Sequence, residues 1–249
     1  MSIKDKINKA LEEYGVAILP PMDVFESFNL LHSNHVNASC VMLDPWYNKG
    51  FGGELPLVEY DNFIINLLEN AGKMSHVVYL WGFPEIIGPY VRNAPKGFSV
   101  SAWLTWYYKN CPSVIRGWRS SQNACIQYTR QGYHMHPEHF LTPEQKERLE
   151  TGKMRFIPGP SSVIEEPLIV GFVGKKERTG HPSQKPEAVY NKLILMATCE
   201  GETVFDPMAG SGTTAACALK NNRKCIVCDK EEEYIQMIEK RTGVKRITL

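Results

Sequence analysis

Acidic residues are missing from one long stretch of this chain: from Ile86 to Pro137 there is no aspartate or glutamate. Arg92, Lys96, Lys109, Arg116, Arg119 and Arg130 fall inside it, and all 27 acidic residues lie outside. A net charge of only +1 therefore conceals a basic band in an otherwise acidic protein. Such a band attracts a polyanion, although solvated surface charges would give the same pattern. Other absences narrow the class. No run of about 18 apolar residues is present, which argues against a membrane span. Met1-Ser2-Ile3-Lys4-Asp5-Lys6 has no secretory pattern, so a soluble, cytoplasmic protein without membrane contact is expected. The 7 cysteines are an odd number without framework spacing and read as reduced thiols. There is no internal repeat or low-complexity tract. What is present, 249 residues with 43% hydrophobic and 22% charged, suits one large α/β domain or a domain with one insertion.

Apolar spacing predicts helices at 3–13, 22–32 and 61–71, and strands at 16–19, 39–43 and 76–81. Strands alternating with helices at this spacing imply βαβ units and a parallel sheet. Asn48 to Gly53 reads as a flexible loop. Beyond 81 the alternation fails. Residues 103–108 and 124–128 look like antiparallel strands around a Pro112–Ser121 loop, and 131–180 is irregular, rich in glycine, proline, histidine and charge. Order returns with a helix from Lys185 to about Cys199, a strand at 203–205, a helix to about Lys220, a strand at 224–228 and a helix at 230–241.

Two strands end on carboxylates. Thr203-Val204-Phe205 runs into Asp206-Pro207-Met208-Ala209-Gly210-Ser211-Gly212-Thr213-Thr214, and Asp229 closes the next strand. In such sheets the acid after the second strand accepts hydrogen bonds from ribose hydroxyls, and the glycines let backbone approach a ligand. A phosphate-binding loop would need Gly-Lys-Ser/Thr here, and no lysine follows. A nucleoside with a small anionic tail, such as S-adenosylmethionine, fits better than a triphosphate; a tight turn without ligand is the plainer alternative. The second strand, Cys40-Val41-Met42-Leu43, runs into Asp44-Pro45-Trp46-Tyr47. An aromatic-ring amine is a poor nucleophile because its lone pair is delocalised. The Asp44 carboxylate and the Pro45 carbonyl, each accepting one amino hydrogen, would free that pair, while Tyr47 stacks on the base. A base inside a duplex must be flipped out to reach such a pocket, or be supplied single-stranded. A Pro-aromatic turn after a core strand is the alternative here.

Cysteines 225 and 228 are spaced like a metal or redox pair, but in a strand residues three apart point to opposite faces. His134, His136 and His139 are dense, yet no further Cys/His group with ligand spacing follows, so no metal is assigned.

These motifs resemble the amino-methyltransferases of DNA (adenine-N6 or cytosine-N4 specific), in the permuted β-group order where the catalytic motif precedes the cofactor motif. Asp44-Pro45-Trp46-Tyr47 stands for the family's Asp-Pro-Pro-Tyr. His181-Pro182-Ser183-Gln184-Lys185-Pro186 matches the element that helps bind the methionine end of the cofactor, so His181, Ser183 and Lys185 join Asp206, Pro207, Met208, Gly210, Ser211, Gly212, Thr213 and Asp229 as expected cofactor-binding residues. Tyr234 matches the helix after the ribose-binding strand. Leu104 to Arg130 resembles the strand pair lining the target-base pocket. Trp46 replaces a proline, Met208 replaces a common phenylalanine, and Pro20-Pro21 displaces the acid expected after the first strand to Asp23.

The resemblance implies a Rossmann-like, mostly parallel twisted sheet with helices on both faces, built from a catalytic half at 1–130, a target-recognition insertion at 131–180 and a cofactor half at 181–249. The expected activity is S-adenosylmethionine-dependent methylation of an exocyclic amine in DNA, adenine N6 favoured by the aspartate of the tetrapeptide. Cytosine N4, RNA, a protein amide, or a non-catalytic nucleic-acid-binding module are the rivals. Lys109, Arg116, Arg119 and Arg130 are the candidate DNA contacts. A restriction–modification setting of prokaryotic or phage type and a homodimer are further readings that the resemblance allows.

Overall fold

The computed structural model describes residues 1–48, 53–111 and 117–249. Arg116, and residues 49–52 and 112–116 of the loops expected at 48–53 and 112–121, lie outside the described residues. Eight strands form one sheet in the order β1-β8-β7-β2-β3-β5-β4-β6. They are β1 (Val16–Ile18), β2 (Cys40–Leu43), β3 (Val77–Gly82), β4 (Phe98–Tyr107), β5 (Gln122–Arg130), β6 (Val163–Glu165), β7 (Thr203–Asp206) and β8 (Lys224–Val227). The five strands from β1 to β3 in that order run parallel. β5 is antiparallel to both β3 and β4, and β6 lies parallel to β4 at the edge. The expected α/β class and mostly parallel sheet are therefore observed.

Alternation along the strands builds two apolar layers. Ala17, Val41, Leu43, Val78, Leu80, Phe205 and Ile226 face one side, where α1 (Ile3–Tyr14), α2 (Val24–Ser33) and α3 (Leu57–Met74) contribute Ile7, Phe28, Leu31, Ile64 and Leu67. Val16, Ile18, Cys40, Met42, Val77, Tyr79, Val204, Cys225 and Val227 face the other. There α6 (Glu187–Ala197), α7 (Thr213–Lys220) and α8 (Glu232–Thr242) supply Val189, Leu193, Ala215, Ala218, Ile235 and Ile238. Strands β1, β2 and β3 are wholly buried, as parallel strands covered on both faces must be. Cys225 and Cys228 sit in opposite layers, as the strand period requires.

Three differences from the sequence reading have physical causes. β4 begins at Phe98 because a bulge between Val100 and Ala102 shifts the register and hides the strand's start. A short α4 (Pro84–Ile87) and a 3-10 turn follow β3, too brief to show a period. Within 131–180, α5 (Pro143–Glu150) is closed by a Thr142–Gln145 capping box but buries no residue, so it has no apolar stripe. β6 has a single buried side chain, Ile164.

Candidate active site

β7 leads through α7 to β8 on one side, whereas β2 leads through α3 to β3 on the other. The crevice between β2 and β7 is therefore the point where strand order reverses, and carboxyl ends of strands at such a point are where open α/β sheets bind ligands. Pairing of Cys40 with Val204 and Val41 with Phe205 delivers Asp44 and Asp206 to the same end of the sheet.

Asp44 does not stand alone there. The Lys185 ammonium donates to its Oδ2 and, at 3.1 Å, to the Tyr47 hydroxyl. Tyr47 in turn donates to Asp44 Oδ1 at 2.9 Å. Lys185 is almost fully buried, with its Nζ 5.6 Å from the Tyr47 ring centre and 5.8 Å from that of Trp81. Burial first, and Asp44 second, push the Tyr47 phenol well up, so it remains a donor. The rings of Tyr47 and Phe83 meet at 5.0 Å and 67°.

Trp46 turns the other way. Its indole packs on Phe63 (4.8 Å) and Tyr60 (5.5 Å) against the α1–α3 layer, and Tyr60 donates to its carbonyl at 2.8 Å. The residue that departs from the Asp-Pro-Pro-Tyr pattern thus props up the turn from below. The buried Trp46 Nε1, Trp81 Nε1 and Asn123 Oδ1 have no hydrogen-bond partner among the described residues.

On the other strand end, Asp206 is buried and accepts from Met208 N (3.1 Å) and from the Thr214 hydroxyl. Burial pushes its carboxyl up to about 7; those two bonds oppose the rise, while Asp44 and Asp229 add to it. Asp206 therefore braces the loop from inside. Asp229 accepts from Gly210 N (2.9 Å) through Oδ2 and from Glu231 N (3.1 Å) through Oδ1, and burial raises it too. Each of its oxygens keeps a lone pair beyond those bonds.

Gly210 (φ +46°) and Gly212 (φ +72°) occupy the left-handed region. A Cβ on Gly210 would stand 2.8 Å from His181 Nε2, so the loop and the His181–Pro186 element touch only because no side chain intervenes. His181 accepts from Ser183 N (3.2 Å) at Nδ1, which leaves the ring proton on Nε2; burial holds its pKa below the usual histidine value. Its ring lies 4.5 Å from that of Tyr234. Ser183 itself is exposed.

Arg241 on α8 donates to Ser211 O (2.9 Å) and Thr213 Oγ1 (3.1 Å) and pairs with Glu187 (2.8 Å), and Thr213 donates to Lys185 O (3.1 Å). Arg241, Glu187, Tyr60 and Phe83 carried no local signal in the sequence, because their partners are distant in the chain. Thr214 could have been found, since it belongs to the same loop motif as Asp206. Asp23 is the N-cap of α2, accepting from Phe25 N at 2.8 Å.

The candidate DNA contacts divide. Arg119 is exposed beside Trp118, which is 99% exposed. Lys109 is exposed but paired with Glu165 at 2.5 Å. Arg130 is engaged within the fold: it donates to Gly72 O and, at 3.1–3.2 Å, to Ser75 O, and stacks 4.6 Å over Phe98. It caps the carboxyl end of α3, where free carbonyls need donors.

The chain is similar to known proteins. The DNA adenine methyltransferase YhdJ of Escherichia coli (strain K12) is 44% identical over 229 residues, covering 83% of this chain and 75% of YhdJ. The type II methyltransferase M.HpaI of Haemophilus parainfluenzae is 33% identical over 217 residues, covering 81% and 67%. Among solved structures, an M1.HpyAVI–SAM complex superposes with a TM-score of 0.70 at 19% identity, covering 92% of this chain and 100% of that one. The PvuII DNA methyltransferase (cytosine-N4-specific) gives 0.65 at 16%, covering 94% and 90%; at such identities the likeness speaks for the fold. The pattern of the DNA methylase family N6_N4_Mtase matches residues 38–240, from just before the strand that carries Asp44 to near the end of α8. With that span and those relatives, the chain belongs to the N6/N4 amino-methyltransferase family of DNA methylases.

Proposed function

We propose that the chain methylates the N6 amino group of adenine in DNA, with S-adenosylmethionine as donor and the base presented outside the duplex stack. One observation carries the reading: Lys185, from the element flanking the glycine loop, bonds to both Asp44 and Tyr47, so acceptor and donor halves form a single site. S-adenosylmethionine supplies an electrophilic methyl group on a sulfonium. Asp229 offers free lone pairs to a ribose diol, and the Gly210–Thr213 backbone, clamped by Arg241, forms the cradle. His181 and Ser183 stand at the side where the methionine end would lie. Met208 and Pro207 shape the turn that Asp206 holds.

Toward the acceptor, Asp44 and the Pro45 carbonyl take the two amino hydrogens. Both Asp44 oxygens are already held, one by Lys185 and one by Tyr47, so the carboxylate is fixed before the base arrives. That is the preorganisation on which an in-line transfer depends. Tyr47 and Phe83 provide aromatic faces, and Asn123 Oδ1 a buried acceptor without a partner among the described residues. Trp118 and Arg119 supply an exposed ring and a charge at the strand pair that the family resemblance assigns to the base pocket. Residues 131–180, tied to the sheet by β6, are proposed to read the target sequence, between a catalytic half at 1–130 and a cofactor half at 181–249. All these residues come from one chain, so a homodimer would add DNA contacts without completing the site. Among the described residues no helix is long and apolar enough to cross a membrane.

Expression in a methylation-free host, with modified bases mapped by single-molecule sequencing, tests the reading. N6-methyladenine in a fixed context is expected, and Asp44→Ala should abolish it while cofactor binding persists. N4-methylcytosine alone would overturn the choice of base, and no modified base would overturn the substrate.

A further inference from the structure

At the opposite end of the sheet, where the parallel strands begin, the fold brings Cys199 to the histidine run. Cys199 lies in the turn between α6 and β7, His136 is the N-cap of the short 3-10 helix Pro137–Phe140, and His139 lies within that helix. Ligand atoms of His136, His139 and Cys199 all lie within 4.8 Å of one another. Cys199 Sγ is 3.5 and 3.6 Å from the two ring nitrogens of His136. Two ligands of one tetrahedral zinc, with bonds of about 2.0–2.3 Å, stand roughly this far apart.

The outer hydrogen bonds set both imidazoles for coordination. His139 Nδ1 is 2.7 Å from Leu195 O, which can only accept, so Nδ1 carries the proton and Nε2 the lone pair. Arg223 approaches the same nitrogen at a longer 3.4 Å and donates instead to Thr198 O at 2.7 Å. His136 Nδ1 faces Glu138 Oε1 at 3.0 Å, a carboxylate–histidine pair that likewise frees Nε2. Metal-bound histidines are held in this way, with the remote nitrogen donating to a carbonyl or carboxylate. Glu138 Oε2 is out of solvent with no hydrogen-bond partner among the described residues. Glu202 Oε2 accepts from Cys199 N at 2.6 Å, and with Glu138 it offsets the positive charge of Arg223.

We propose that His136, His139 and Cys199 form a site for a zinc-class divalent cation that fastens the start of the 131–180 segment to the α6–β7 turn. Two nitrogens and a thiolate suit a borderline-soft ion, with a fourth position left for water or the Glu138 carboxylate. Its place at the amino ends of the strands, away from Asp44 and Asp206, makes the role structural. The same join is reinforced by Tyr133, which stacks on His76 at 4.9 Å and donates to Ala197 O at 2.9 Å.

The test is reconstitution of the chelator-treated full chain with zinc and, separately, with cobalt(II). About one zinc per chain is expected, and a thiolate-to-cobalt charge-transfer band that Cys199→Ser removes. Glu138→Ala, which keeps all three ligands, should weaken zinc binding about 10–100-fold. Hydrogen exchange at 134–141 should slow on adding zinc. A wild-type chain that takes up no zinc, or whose cobalt form lacks the sulfur band, overturns the proposal. Because that spectrum is read on the wild type, it decides the matter even if Cys199→Ser fails to fold.

Discussion

Lys185 offers the sharpest test of how the site is wired, because sequence and structure assign it different partners. The motif resemblance places it with the cofactor. In the structure its ammonium is spent on Asp44 and Tyr47, and only its backbone carbonyl reaches the glycine loop, through Thr213. Replacing it by alanine removes a charge-assisted bond to Asp44 and a weaker one to Tyr47. A bond to a charged group contributes about 1.5–3 kcal/mol. If that holds the carboxylate in its reactive position, the rate should fall by about 10–150-fold. The Lys185 carbonyl is retained, so Thr213 keeps its acceptor, and cofactor affinity should stay within about threefold, or less than 1 kcal/mol. Isothermal titration with S-adenosylmethionine and single-turnover methylation of a DNA carrying the mapped target would measure the two quantities separately. A loss of cofactor affinity of tenfold or more, with the single-turnover rate unchanged at saturating cofactor, would refute the wiring (a factor of ten being about 1.4 kcal/mol). Asp44 is left with Tyr47 and partial solvent exposure, so Lys185→Ala should still fold, at some cost in melting temperature.

Four further outcomes follow from the geometry. Gly210→Ala puts a Cβ 2.8 Å from His181 Nε2 at φ +46°, so cofactor affinity should drop and stability fall by about 1–2 kcal/mol, measured by urea titration. Arg130→Ala should destabilise the fold by about 1–3 kcal/mol, by uncapping α3, and leave the salt dependence of DNA binding unchanged. Arg119→Ala should instead spare stability and lower the log–log salt slope by about 1. Asp206 is raised from an ordinary 3.8 to about 7, so between those values the folded chain holds a proton that the unfolded chain has lost. Stability should therefore decline as pH rises from about 4 to 7 and level off above, and Asp206→Asn should flatten that decline. An unchanged slope in the variant would remove Asp206 as its source.

Much of the frame was legible in the sequence because it is written in local patterns. Continuous burial in 40–43, 77–82 and 225–227 follows from unbroken apolar runs, and the glycine loop announces itself by composition. The middle of the chain was less legible: α5 buries no residue, and the bulge in β4 erases its own periodicity. The site was legible as two motifs, while the contacts that make it one were not.

The sequence by itself determined which residue types end each strand, and hence the family, the parallel sheet and the carboxylates Asp44, Asp206 and Asp229. Such features depend on neighbours a few residues away, where spacing alone sets which face a side chain takes. Only the tertiary structure decided that Lys185 grips Asp44 from 141 residues away, that Trp46 packs below the site, that Arg130 caps a helix, and that Cys199 meets His136. Those partnerships depend on which strands lie side by side and on which charges burial leaves needing a partner, and neither is encoded within any one segment.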